Sequence, residues 1–95
     1  MPYVMISHKV ADYAKWKKAV HACADWRKAS GELSFQVLRC AESPNDLTVL
    51  CGWDSAARAR KFAASAELRE RMRGAGVVGK PDIHFFKSSE DLSVA

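Results

Sequence analysis

The stretch from Leu33 to Trp53, LSFQVLRCAESPNDLTVLCGW, decides the fold. Two runs rich in aliphatic and β-branched residues, Leu33–Ala41 and Leu47–Trp53, are each too short for a buried helix and read as strands. Between them, Glu42-Ser43-Pro44-Asn45-Asp46 is turn chemistry: proline fixes φ, while asparagine and aspartate tolerate left-handed backbone. A connection this short joins antiparallel strands, so the middle of the chain is a hairpin.

The flanks repeat one pattern on either side of it. Upstream, Asp12 caps an amphipathic helix that runs to about Ser30 and stops at Gly31. Trp16, Ala19, Val20, Cys23 and Trp26 form its apolar stripe, with Lys15, Lys17, Lys18, His21, Asp25 and Lys28 opposite. Before that helix, Tyr3–Val10 reads as a strand. Downstream, Asp54 or Ser55 caps a second helix with Ala56, Ala59, Phe62, Ala63 and Ala66 on one face. The apolar phase then moves to Leu68 and Met72, which predicts a break near Ser65 and a short further helix ending at Gly74–Gly76. Gly79-Lys80-Pro81 leads into a last strand, Asp82–Lys87, and Ser88–Ala95 reads as a loose polar tail. The order β-α-β-β-α-β is the α+β, ferredoxin-like arrangement: a four-stranded antiparallel sheet with helices on one face, in a single domain spanning residues 1–95.

Composition narrows the class. The chain has 95 residues, 15 basic and 11 acidic, a net charge of +4, 48% hydrophobic and 27% charged residues, all ordinary for a globular domain. No apolar run approaches the ~18 residues that a membrane span needs, and Met1-Pro2-Tyr3-Val4 lacks the start of a secretion signal. Three cysteines without a C-x-x-C pair point to a reducing, cytoplasmic setting with thiols used as small core residues.

Both alternating sets of these strands carry apolar residues. Val4, Ile6 and Val10 oppose Tyr3 and Met5; Leu33, Phe35 and Val37 oppose Leu38 and Cys40; Leu47, Val49, Cys51 and Trp53 oppose Leu50; Phe85 opposes Phe86. A sheet with one wet face alternates more cleanly. The face without helices is therefore expected to be covered, most economically by a second copy of the chain, giving a homodimer through the sheets.

Candidate chemistry is sparse. Arg27 falls on the inward side of the first helix and needs an acceptor there. It is either an anion clamp for a carboxylate or phosphate, or a last-turn arginine that reaches solvent or an internal glutamate. Trp53, at a strand end beside a helix cap, is either a pocket wall or a core aromatic. His8 and His84 lie on strands that neighbour each other in this topology, where they approach one another and stand as candidates for a general base. Asp82 is the only carboxylate near them, too few ligands for a metal site, and no metal or other cofactor is expected. Cys40 and Cys51, roughly equidistant from the turn, are placed across the hairpin as reduced thiols. Gly74–Gly79 follows a helix and opens none, so it is no dinucleotide fingerprint. The basic residues between Arg58 and Lys80 lack an interleaved aromatic set and read as a solvated surface more than as a nucleic-acid interface.

Together Val10-Ala11-Asp12-Tyr13-Ala14-Lys15-Trp16, Arg27 before Gly31, Pro44-Asn45, Gly52-Trp53-Asp54-Ser55, Lys61–Leu68 and Met72–Val77 make the chain resemble the dimeric α/β-barrel superfamily. The resemblance is to its small antibiotic-biosynthesis-monooxygenase-like, loosely cyclase-labelled, members. It covers nearly the whole chain. It implies a homodimer packed sheet to sheet and a pocket between sheet and helices, where relatives oxidise polycyclic aromatic substrates without metal or flavin, or degrade haem. It places Trp53 at the family's pocket-lining tryptophan. Where haem-degrading relatives carry an iron-ligating histidine this chain has Phe62, and Ser7 and His8 occupy the neighbourhood of a first-strand asparagine. The reading is thus a homodimeric protein that holds a small hydrophobic organic ligand near Trp16, Trp53, Phe62 and Arg27. The alternatives are a cofactor-free monooxygenase- or cyclase-like enzyme acting on an aromatic or polyketide-type substrate and, last, a nucleic-acid-associated protein.

Overall fold

The computed structural model describes residues 1–92. Strand β1 (Pro2–Val10) is followed by helices α1 (Tyr13–Ala22) and α2 (Ala24–Ser30), strands β2 (Glu32–Arg39) and β3 (Asp46–Trp53), helices α3 (Ala56–Ala63) and α4 (Ala66–Gly74), and strand β4 (Val77–Lys87). The four strands form one antiparallel sheet in the order β2-β3-β1-β4. The helices cover one of its faces, the ferredoxin-like architecture.

Capping explains where the helices begin. Asp12, Ser55 and Ser65 each accept the backbone N–H three residues on, from Lys15, Arg58 and Leu68. The break expected near Ser65 is therefore built by Ser65 itself, which leaves α3 and starts α4. At the end of α2, Gly31 has φ +115°, and a Cβ there would lie 2.6 Å from Asp54 Oδ1. Both the left-handed backbone and the close approach of the chain require glycine.

Four sequence expectations change. The first helix does not run unbroken to Ser30: it breaks at Cys23, where the Arg27 guanidinium Nη1 donates to the Val20 carbonyl at 2.6 Å. A side chain entering the helical ladder is an ordinary cause of such a bend. Next, β2 begins at Glu32, and its register against β3 shifts between Glu32 and Ser34. That irregularity throws Leu33 outward, 64% exposed, instead of onto the face of Phe35 and Val37, and turns Glu32 inward opposite Trp53. Cys51 pairs with Phe35, while Cys40 sits at the turn end, exposed, with its N–H donating to Asp46 O. The two thiols do not face each other, because Cys40 lies nearer the turn than Cys51: the register that pairs Phe35 with Cys51 leaves Cys40 beside Asp46. Finally, β4 starts at Val77, so Gly79-Lys80-Pro81 lies inside it. Those three residues oppose the single His8 in a bulge with Gly79 at φ +75°, and the edge position of β4 tolerates a proline without N–H.

The core lies between sheet and helices: Val4, Ile6, Val10, Leu47, Val49, Cys51 and Trp53 from the strands meet Trp16, Ala59, Phe62, Leu68 and Ala75. On the other face Tyr3, Met5 and Leu50 are half-buried, and Leu38 and Phe86 remain 49% exposed. In the tail, the Ser88 N–H and hydroxyl both donate to Met1 O, and residues 89–92 are exposed without regular structure. The end of the expected tail, residues 93–95, lies outside the described residues.

Candidate functional site

A cavity of about 80 Å³ lies between the sheet and the helices. Its floor is strand residues Ile6, His8, Phe35, Val49 and Cys51, which alternation aims at the helices. Its walls are Trp16, Ala19 and Val20 of α1, Phe62 of α3 and Leu68 of α4. Half-buried Cys23, Trp26, Arg71 and Met72 form the outer rim. Apolar atoms dominate the surface, and the polar exceptions carry what specificity the space has.

Arg27 reaches the cavity wall already engaged. Its Nε donates to Glu32 Oε1 at 2.9 Å, Nη1 donates to Val20 O, and the guanidinium lies 4.4 Å from the Phe35 ring centroid. The two side chains are only 12% and 7% exposed. Of the two arrangements open to it, Arg27 takes the internal glutamate. Glu32 was not a candidate in the sequence; an acid placed one residue after the Gly31 stop and five after the inward arginine is the signal that marks it. Burial pushes its carboxyl above the usual range, and Arg27 only partly offsets this. The neighbouring Cys51 thiol is pushed up by burial and by the charge of Glu32, so it stays protonated.

His8 shares the inward parity of Ile6 and Val10 and lines the cavity, its ring 5.7 Å from Trp16. Both ring nitrogens are buried without a hydrogen-bond partner, and desolvation lowers the pKa, leaving a neutral imidazole at pH 7. His84 is opposite Met5 in the register, hence on the uncovered face, where its Nε2 is 3.1 Å from Asp82 Oδ2. The sheet therefore separates the two histidines that the sequence reading brought together: neighbouring strands do not suffice when the residues differ in parity. His21 is exposed on α1.

Trp53 is 1% exposed and does not line the cavity; Phe62 stands in front of it, 4.7 Å between centroids, and also meets Trp26 at 4.9 Å. Trp53 is thus a buried support for Phe62, with its indole Nε1 unpartnered. Cys23, from the apolar stripe of the first helix, and Arg71, which carries no sequence signal, join the rim, with Arg71 Nη1 donating to Cys23 Sγ at 3.1 Å and its guanidinium lying over Trp26. Among the described residues no three His, Cys, Asp or Glu side chains converge as metal ligands. Several of the basic residues are engaged internally: Arg58 with Asp54, Arg71 with Glu67, Arg73 with Glu70, and Arg60 over Phe85.

No family model matches the chain, and no curated protein does. Solved structures do match. A provisionally assigned antibiotic biosynthesis monooxygenase of Bordetella bronchiseptica is similar over 94% of this chain and 97% of its own, with a TM-score of 0.77 and 18% identity. SnoaB, a cofactor-independent oxygenase from Streptomyces nogalater, is similar over 96% of this chain and 95% of its own, with a TM-score of 0.76 and 14% identity. A provisionally assigned antibiotic biosynthesis monooxygenase of Caulobacter crescentus CB15 reaches a TM-score of 0.72 at 21% identity, over 94% of this chain and 90% of its own. At these identities the matches establish the fold, the one that the sequence resemblance implied.

Proposed function

We propose that this protein binds a small, uncharged, largely apolar organic ligand in the cavity between sheet and helices, as a homodimer through the uncovered sheet face in a reducing, cytoplasmic setting. The observation that carries the reading is the internal neutralisation of the site. Arg27, the guanidinium that would attract an anion, is held by Glu32 and a carbonyl, which leaves aromatic and aliphatic walls around an open space. At about 80 Å³ the space is below the ~150 Å³ of an apolar cavity that takes up benzene, so the ligand is at most one ring admitted by movement of the flexible Met72 rim. The half-buried and exposed apolar residues Met5, Leu38, Leu50 and Phe86 support the sheet-to-sheet dimer.

An NMR titration with toluene tests the binding reading. Saturable shifts of the Trp16 and Trp26 indole N–H signals, abolished by Ala19→Leu, are expected. No saturable shift up to the solubility limit contradicts it.

A cofactor-independent oxygenase is the second reading, favoured by one observation. His8 is a neutral, desolvated imidazole on the cavity floor, the state in which it can take a proton from an ionisable substrate group. Oxygen uptake with a small phenolic substrate, lost in His8→Gln, is the expected behaviour under that reading; its absence across such substrates leaves binding alone.

A further inference from the structure

If the cavity holds a small, largely apolar ligand, as proposed above, Glu32 is the polar group whose bonding bears on how that ligand is oriented. Its side chain is 7% exposed, it lines the cavity, and its two oxygens are unequal: Oε1 accepts from Arg27 at 2.9 Å, while Oε2 is buried with no hydrogen-bond partner. The Cys51 thiol, held in its protonated form, interacts with the Glu32 carboxyl without making a full hydrogen bond to Oε2. An S–H is a weak donor, and a carboxylate oxygen left to it alone in a desolvated site is costly. A hydroxyl or N–H brought by the ligand would remove that cost.

We infer that the Glu32 end of the cavity is a hydrogen-bond acceptor subsite, and that the ligand is a small neutral molecule with an apolar body and a hydroxyl or N–H donor bound at Glu32 Oε2. Net charge on the ligand is opposed from both sides. An anion would face the Glu32 carboxylate. A cation would sit beside the balanced Arg27–Glu32 pair with Arg71 at the rim. His8 does not serve the same group. It pairs with Leu47 and Glu32 with Trp53, six positions apart on β3, so their backbones stand roughly 20 Å apart along the strand and the two groups lie at opposite ends of the cavity.

Phenol and toluene, which differ by a hydroxyl for a methyl at nearly equal size, decide the matter by calorimetric or NMR titration of the full chain. Phenol is expected to bind at least about tenfold more tightly than toluene, against its greater desolvation in water. That preference is expected to vanish in the double variant Arg27→Met with Glu32→Leu, which removes the acceptor without stranding a charge. Toluene binding as tightly as phenol to the native chain would overturn the acceptor subsite while leaving ligand binding intact, as expected if water already satisfies Oε2. A phenol preference that persists in the double variant overturns the assignment to Glu32. Binding of neither overturns this inference and the ligand-binding reading together.

Discussion

The two faces of the one sheet are made by the same strands and differ in what they do with polarity. On the helix-covered face Val4, Leu47, Val49 and Trp53 are at most 2% exposed, and the charges that enter, Arg27 and Glu32, are matched to each other. On the uncovered face, Asp82 and His84 pair while 73% and 51% exposed, Ser7 and Thr48 share a hydroxyl hydrogen bond, and apolar side chains remain half in water. Polar groups thus have different meanings on the two sides. Outside, a pair is weak and replaceable because water competes for both partners. Inside, polar atoms call for partners, and the unpartnered ones that line the cavity, on His8 and Glu32 Oε2, mark where something else belongs; Trp53 Nε1 is also unpartnered but lies behind Phe62, away from the open space.

The sharpest way to break this contrast is to remove one inward charge. Glu32→Ala is expected to cost about 3–5 kcal/mol in urea unfolding, because it leaves the Arg27 guanidinium buried and unpaired, whereas Arg27→Met with Glu32→Leu should recover most of that loss. A small loss in the single variant would mean that Arg27 escapes to water. On the other face, Leu50→Lys should leave the fold intact but raise the dimer dissociation constant at least about 100-fold, ~2.7 kcal/mol, read by sedimentation across concentration. A native chain that sediments as a monomer at every concentration removes the dimer.

The histidines give a finer comparison. Burial lowers the His8 pKa below its ordinary 6.5, so the unfolded chain takes up the proton first. The stability that this adds is present above pH 6.5 and is lost as pH falls through the lower folded value. Glu32 acts in the opposite sense at more acidic pH: its carboxyl is held above 4.5, so the stability gained while it is protonated is lost as pH rises through the folded value. The difference between native and His8→Phe stability curves isolates the His8 part, which should decline below pH 6.5; a flat difference would place His8 in water. The smallest effect belongs to Asp82→Ala, expected within about 0.5 kcal/mol because both members of its pair are exposed.

Period and punctuation made the strands, caps and sheet face legible in the sequence. Alternation in Val4-Ile6-Val10 already gives residue 8 the inward position, and Ser55 and Ser65 announce their helices. What escaped were local shifts whose residue signals are faint or read as something else. One is the irregularity at Leu33, which reverses parity and sends Glu32 inward. Another is the bulge of β4 opposite His8, hidden by a Gly-Lys-Pro run that reads as a loop. The third is the break at Cys23, set in an alanine-rich stretch with no breaker, where the cause is a tertiary hydrogen bond from Arg27. The site suffered more than the fold because it is assembled at these shifts. Strand alternation and helical phase turn both Trp53 and Phe62 inward, yet only packing decides which of two stacked aromatics meets the open space.

The central claim is that the space beside Phe62 is a dry, ligand-accepting cavity, and crystals pressurised with xenon test it most directly. The account predicts one anomalous xenon peak among Trp16, Val49, Phe62 and Leu68, with the protein otherwise unmoved. A chain of ordered waters running from His8 to Glu32 in that volume, with no xenon bound, would contradict it.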